Sequence, residues 1–144
     1  MAEKPFLTDE QEQLVIKAIK EAERQTSGEI RVHIESQCKG EALQQAARIF
    51  HDLGMDQTRE QNGVLIYVAS EDHKAAIYAG RGVHSQVEDH FWSTILDDLI
   101  THFKQQEFEK GLEEAVRQVG EELASLFPGD AEDDDELSNE ISYN

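Results

Sequence analysis

The residues best suited to chemistry in this chain are hard oxygen donors gathered near three glycine-containing segments: Thr26-Ser27-Gly28-Glu29, Gln61-Asn62-Gly63 and Gly80-Arg81-Gly82. Glu29 and Asp89 supply carboxylates, Asn62 a side-chain amide, and Gly80 and Gly82 the carbonyls that flank Arg81. Ca²⁺ takes this donor inventory from flexible loops, while Mg²⁺ uses the same oxygens with stricter octahedral demands. A second chemistry is open at the same place. Arg81 and the helix N-terminus expected near Ser85 could hold a phosphate, and a cation could bridge that phosphate to the carboxylates. The plainest alternative is that the glycines serve turns and the acids are solvated.

Other constellations are weaker. Six histidines (33, 51, 73, 84, 90 and 102) form no His-Glu-x-x-His motif. His33 shares a strand face with Glu29, Arg31 and Glu35, and only His84 lies close to the third glycine segment. Cys38 stands beside Lys39, which could lower its pKa, yet no orienting triad accompanies it. Ser85 does not sit in a Gly-x-Ser-x-Gly elbow. Asp97 and Asp98 are neighbours on a helix and splay apart. The acidic run from Asp130 to Glu136 lacks the glycine and ligand spacing of an EF-hand loop. It reads as a solvated tail that could also hold Ca²⁺ loosely or meet a basic partner.

The elements that must position these groups can be read in order. Thr8-Asp9-Glu10-Gln11 has capping-box spacing, and Leu14, Val15, Ala18, Ile19 and Ala22 continue it as one apolar helical stripe ending at Ser27-Gly28. Residues 29–35 alternate polar and apolar, which predicts a strand with Ile30, Val32 and Ile34 on one face. A helix through Ala42, Ala46, Phe50 and Leu53 follows, with Gly54 as its left-handed cap. Residues 55–62 show no period and read as a loop. Residues 64–69 are continuously apolar, as expected of a central strand, and residues 75–79 form its hairpin partner. Ser85 and Glu88 suggest a second capping box for a helix through Val87, Phe91, Ile95, Leu99 and Phe103. A last helix, carrying Phe108, Leu112, Val116 and Leu123, stops at Pro128-Gly129.

The order α-β-α-β-β-α-α implies a small mixed sheet in a three-layer α/β/α sandwich. The crossover makes the first two strands parallel, and the hairpin reverses the third. The first two strands therefore begin, and the third ends, at one edge, which is where the three glycine segments should meet. Residues 1–128 form this domain, and residues 129–144 are expected to be a mobile acidic tail in which Leu137, Ile141 and Tyr143 could dock.

At 144 residues the chain has the size of one domain, and 38% hydrophobic residues suffice for one core. Thirteen Lys and Arg stand against 31 Asp and Glu, a formal charge of −18. That balance and the lack of a basic patch exclude a nucleic-acid binder and disfavour anionic membrane surfaces. Divalent cations or a basic protein are the charge-compatible partners. A single cysteine cannot form an internal disulfide. No apolar run approaches the roughly 20 residues of a membrane span. A signal core is also lacking, so the expected location is the cytoplasm.

Thr26-Ser27-Gly28-Glu29-Ile30, Asn62-Gly63-Val64-Leu65 and Gly80-Arg81-Gly82-Val83 followed by Asp89 together resemble the TPM domain. That family shows a Thr-Gly-x-Glu-Ile strand start, an Asp-Asn-Gly-Val-Leu strand start and a Gly-x-Gly turn in this order. The likeness runs from the first helix to Phe127 and includes Phe108 and Gly111. It implies an α/β/α sandwich and divalent-cation binding, and for some plant members weak acid phosphatase activity. Two departures stand out: Gln61 replaces the usual Asp before Asn62, and Ser27 is inserted between Thr26 and Gly28.

Three functional readings follow. The first is a divalent-cation-binding domain, with Ca²⁺ as the expected ion and Glu29, Asn62, Gly80, Gly82 and Asp89 as its site. The second is a metal-assisted phosphomonoesterase in which Arg81 stabilises phosphate charge. In the third, an acidic interaction module carries a structural cation and recruits a basic partner.

Overall fold

The computed structural model describes residues 6–129 and 141–143. Helix α1 (Asp9–Glu23) starts as its sequence requires: the Thr8 hydroxyl accepts from the Gln11 amide at 3.1 Å, and the Gln11 side chain accepts from the Thr8 amide at 2.9 Å. Strand β1 (Glu29–Glu35) follows, then α2 (Ala42–Asp52), then a single 3₁₀ turn (Met55–Gln57) entered through Gly54 at φ +77°. Strands β2 (Gly63–Ala69) and β3 (Lys74–Ala79) make the hairpin. A short helix α3 (Arg81–His84), helices α4 (Asp89–Lys104) and α5 (Phe108–Leu126), and a two-residue strand β4 (Ser142–Tyr143) complete the chain.

The sheet order is β3-β2-β1-β4. β1 runs parallel to β2 with Glu29 opposite Gly63, and β2 runs antiparallel to β3 with Val64 opposite Ala79. This is the mixed sheet of an α/β sandwich, and its two faces carry separate cores. Ile30, Val32, Ile34, Val64, Ile66 and Val68 pack against Val15, Ile19, Leu99, Val116 and Leu123 of the helices on one side. On the other, Leu65, Tyr67 and Ala76 meet Ala46, Ile49, Phe50 and Met55. All seven residues of β2 are buried, the reason its sequence is uniformly apolar. Each fully buried aliphatic side chain contributes about 1.5–3 kcal/mol.

Several elements differ from the sequence expectation. The capping box at Ser85 and Glu88 does not form: α4 begins at Asp89, with Glu88 as a cap that makes no side-chain bond. Ser85 instead closes α3, whose single turn occupies the stretch read as a simple break. α1 stops at Glu23, before the Ser27-Gly28 stop read from the sequence, and residues 25–27 instead bond to the end of α5 and the residues just after it. The Thr26 hydroxyl donates to the Phe127 and Leu123 carbonyls at 2.6 and 3.0 Å, and accepts from the Gly28 amide at 3.0 Å. The Phe127 carbonyl is one that the end of a helix leaves open, while that of Leu123 also accepts from the Phe127 amide at 2.7 Å. The expectation of a mobile tail falls mostly outside the described residues, as does Leu137. Within them, Ile141 is buried and Ser142 and Tyr143 pair in parallel with His33 and Ile34. Among the described residues no helix is long and apolar enough to cross a membrane.

Candidate functional site

The starts of β1 and β2 and the end of β3 meet at one rim. The Glu29 amide bonds to the Asn62 carbonyl at 3.4 Å, the Gly80 amide to the Gly63 carbonyl at 2.7 Å, and the Gly82 amide to the Gln61 carbonyl at 2.8 Å. Approach this close requires missing side chains. A Cβ on Gly80 would lie 2.5 Å from the Gln61 carbonyl oxygen, and one on Gly82 only 2.2 Å from that of Glu60. These two glycines let the third segment close onto the second.

Above this backbone junction lies a side-chain cluster. The Ser27 hydroxyl donates to Glu60 Oε2 at 2.7 Å, and the Asn62 amide donates to the same oxygen at 2.9 Å and to Ser27 Oγ at 3.2 Å. Glu60 was not singled out by sequence, since it lies in the aperiodic segment before β2; a carboxylate two residues before the Asn-Gly strand start was the available signal. Ser27, the inserted residue, is one of its two donors. Glu29 opens β1 and is buried at the same junction.

Gln61 stands at φ +52°, and its side chain turns into its own loop, donating to the carbonyls of Asp56 at 2.7 Å and Thr58 at 3.0 Å. An Asp here would accept only, so it could not make these bonds. The loop is further tied by His51 and Asp56, 2.5 Å apart. The hydrogen bond to Asp56, and then its charge, raise the His51 pKa; the bond to His51 lowers that of Asp56.

Asp89, at the first turn of α4, lines one end of a groove of about 500 Å³ together with Arg81 and His84, all three exposed. The groove continues along β3 between Leu43 of α2 and Trp92 and Leu96 of α4. Among the described residues no three His, Cys, Asp or Glu side chains gather closely enough to hold a metal ion. A cation at the rim would therefore lean on hydroxyl, amide and backbone oxygens as well as carboxylates. That donor chemistry suits a hard ion such as Ca²⁺ and does not suit zinc.

The polar face of β1 that carries His33 is buried at that residue. β4 flanks β1, and the ring is buried, with Nδ1 2.8 Å from Ser142 Oγ and Nε2 3.3 Å from Glu35. Glu35 also accepts from Gln45 at 3.0 Å and from the Tyr67 hydroxyl. Burial, then the neighbouring Cys38 and Glu35, push the Tyr67 phenol far above its ordinary range.

Residues 2–122 match the model of the TPM domain, and the chain belongs to that family. It is similar to the BA42 protein of the psychrophilic bacterium Bizionia argentinensis, solved by NMR, at 43% identity, with 99% of each chain covered and a TM-score of 0.91. Two more distant NMR structures share the fold. The N-terminal domain of the cg2496 protein of Corynebacterium glutamicum is 15% identical at a TM-score of 0.65, covering 85% of this chain and 86% of that one. The N-terminal domain of a P. gingivalis protein is 21% identical at 0.69, covering 83% and 78%. No curated protein matches the chain.

Proposed function

We propose that this TPM domain binds a divalent cation, Ca²⁺ in preference to Mg²⁺, at the rim formed by residues 27–29, 60–63 and 80–82. The observation that carries the reading is the Ser27–Glu60–Asn62 cluster: a carboxylate held by two side-chain donors, directly over a junction of three backbone segments. Glu60 and Glu29 are the anionic donors, and Asn62 and the carbonyls around Gly80 and Gly82 the neutral ones. Ca²⁺ tolerates such a flexible, mixed oxygen set, whereas Mg²⁺ demands near-ideal octahedral geometry. With few acids in the set, the affinity belongs at the weak end of Ca²⁺ sites, on the order of 10⁻⁴–10⁻³ M.

Calorimetric titration of metal-stripped protein with CaCl₂ and MgCl₂ tests this. The expected result is one Ca²⁺ site, weakened roughly tenfold, or about 1.4 kcal/mol, in Glu60→Gln. Glu60 is exposed, so that variant keeps its fold. Equal Ca²⁺ affinity in the wild type and Glu60→Gln overturns the proposal, as does no binding at millimolar Ca²⁺. Asp89→Asn reports separately whether the start of α4 contributes a ligand.

A further inference from the structure

We propose that the free edge of β3 is a docking strip for an extended peptide, read at one end by Arg81 and His84 through a carboxylate of that peptide. β3 is the last strand of the sheet on its side, and among the described residues no strand pairs with its outer edge. The bond from the Gly80 amide to the Gly63 carbonyl sets the alternation of the β2–β3 ladder. Residues 74, 76 and 78 face β2 in hydrogen-bonded pairs, and the N–H and C=O groups of Ala75, Ile77 and Ala79 point outward. An open strand edge is a template for another strand, and addition of an extended peptide to such an edge is a recurring mode of recognition.

The walls fit a strand with small apolar side chains. The groove of about 500 Å³ runs the length of residues 75–79, lined there by three alanines with Ile77 and Tyr78, and has Leu43 on one wall and Trp92 and Leu96 on the other. Leu43 is 54% exposed, one of only three large hydrophobic side chains so exposed among the described residues. Such exposure in a groove marks a contact surface more often than a scattered surface leucine does.

The charged end of the strip selects the occupant. Parallel pairing with a second copy would align Arg81 with itself. A foreign strand ending in a carboxylate would instead face the Arg81 guanidinium, whose planar fork matches a carboxylate, with the His84 imidazole beside it. Asp89 stands at the same end and opposes that carboxylate, so removing its charge should tighten binding.

The test uses the acetylated pentapeptide Val-Ala-Val-Ala-Glu with a free C-terminal carboxylate, and Val-Ala-Val-Ala-Gln with a C-terminal amide as its uncharged counterpart. Trp92 is the sole tryptophan and lines the groove, so its fluorescence reports occupancy, and amide NMR shifts locate it. The expected result is saturable quenching or enhancement by the acid, with shifts along residues 74–79. The uncharged peptide and the Arg81→Ala variant should bind at least about tenfold more weakly, and Asp89→Asn more tightly. Equal binding of the two peptides, shifts elsewhere, or no response at millimolar acid overturns the proposal. Shifts at β3 that grow with protein concentration alone would assign the edge to a second copy and likewise overturn it. Both exposed-residue variants are checked for fold by their NMR spectra.

Discussion

Replacing Gly82 with alanine sets two effects of opposite sign against each other. Gly82 lies within the helical turn α3, at a φ that any residue adopts, so helix propensity alone favours alanine by about 1 kcal/mol. Against this, the new Cβ would stand 2.2 Å from the Glu60 carbonyl oxygen and 3.0 Å from that of Gln61. Both neighbours are backbone, so no side chain can swing aside, and the third segment must retreat by about an ångström. That retreat stretches the 2.8 Å bond from the Gly82 amide to the Gln61 carbonyl, worth about 1 kcal/mol, and adds an overpacking cost of about 1–3 kcal/mol. The clash wins, and the net expectation is a loss of about 2 kcal/mol. Urea denaturation followed by circular dichroism measures it, with a lower midpoint at unchanged slope. The melting temperature should fall by roughly 4–8 °C. A variant as stable as the wild type, or more so, would refute the packing of Gly82 onto residues 60–61.

Further consequences can be checked in the same preparation. Thr26→Val removes the hydroxyl that bonds the end of α5 and the Gly28 amide, and should cost about 1–3 kcal/mol by urea denaturation; a cost below about 0.5 kcal/mol would contradict that role. Ser27→Ala, by contrast, should leave stability nearly unchanged while weakening Ca²⁺ binding, because its partner Glu60 is exposed. His51, followed by its ring proton shifts, should titrate above 6.5, and Asp56→Asn should lower that value. Since the folded His51 pKa is raised, the pair's stabilisation is complete below about 6.5 and fades as pH rises through the folded value; since that of Asp56 is lowered, it is present above about 3.8 and fades as pH falls through the folded value. His51 is exposed and Asp56 only half-buried, so the effect is small.

The elements that carry strong local signals were legible in the sequence. Thr8 and Gln11 define the start of α1 by their own hydrogen bonds, the alternation of residues 29–35 marks β1, and the apolar run after Gly63 marks a strand buried on both faces. Once β1 and β2 are parallel and β3 returns, the meeting of three loop segments at one rim follows from topology. What escaped depends on contacts distant in sequence. β4 has only two residues, and its Ser142 meets the buried His33 ring on a face that alternation alone reads as polar. Glu60 sits in a stretch without periodicity, so only the folded rim reveals that Ser27 and Asn62 both donate to it. α3 is a single turn, too short to show a period, and by using Ser85 as its end it displaces the start of α4 to Asp89.

The most direct test of the cation-binding account is an amide NMR titration of metal-stripped protein with CaCl₂. The account predicts saturable shifts concentrated at residues 27–29, 60–63 and 80–82, strongly reduced in Glu60→Gln. Shifts confined to the acidic residues after Pro128, or none at millimolar Ca²⁺, would contradict it.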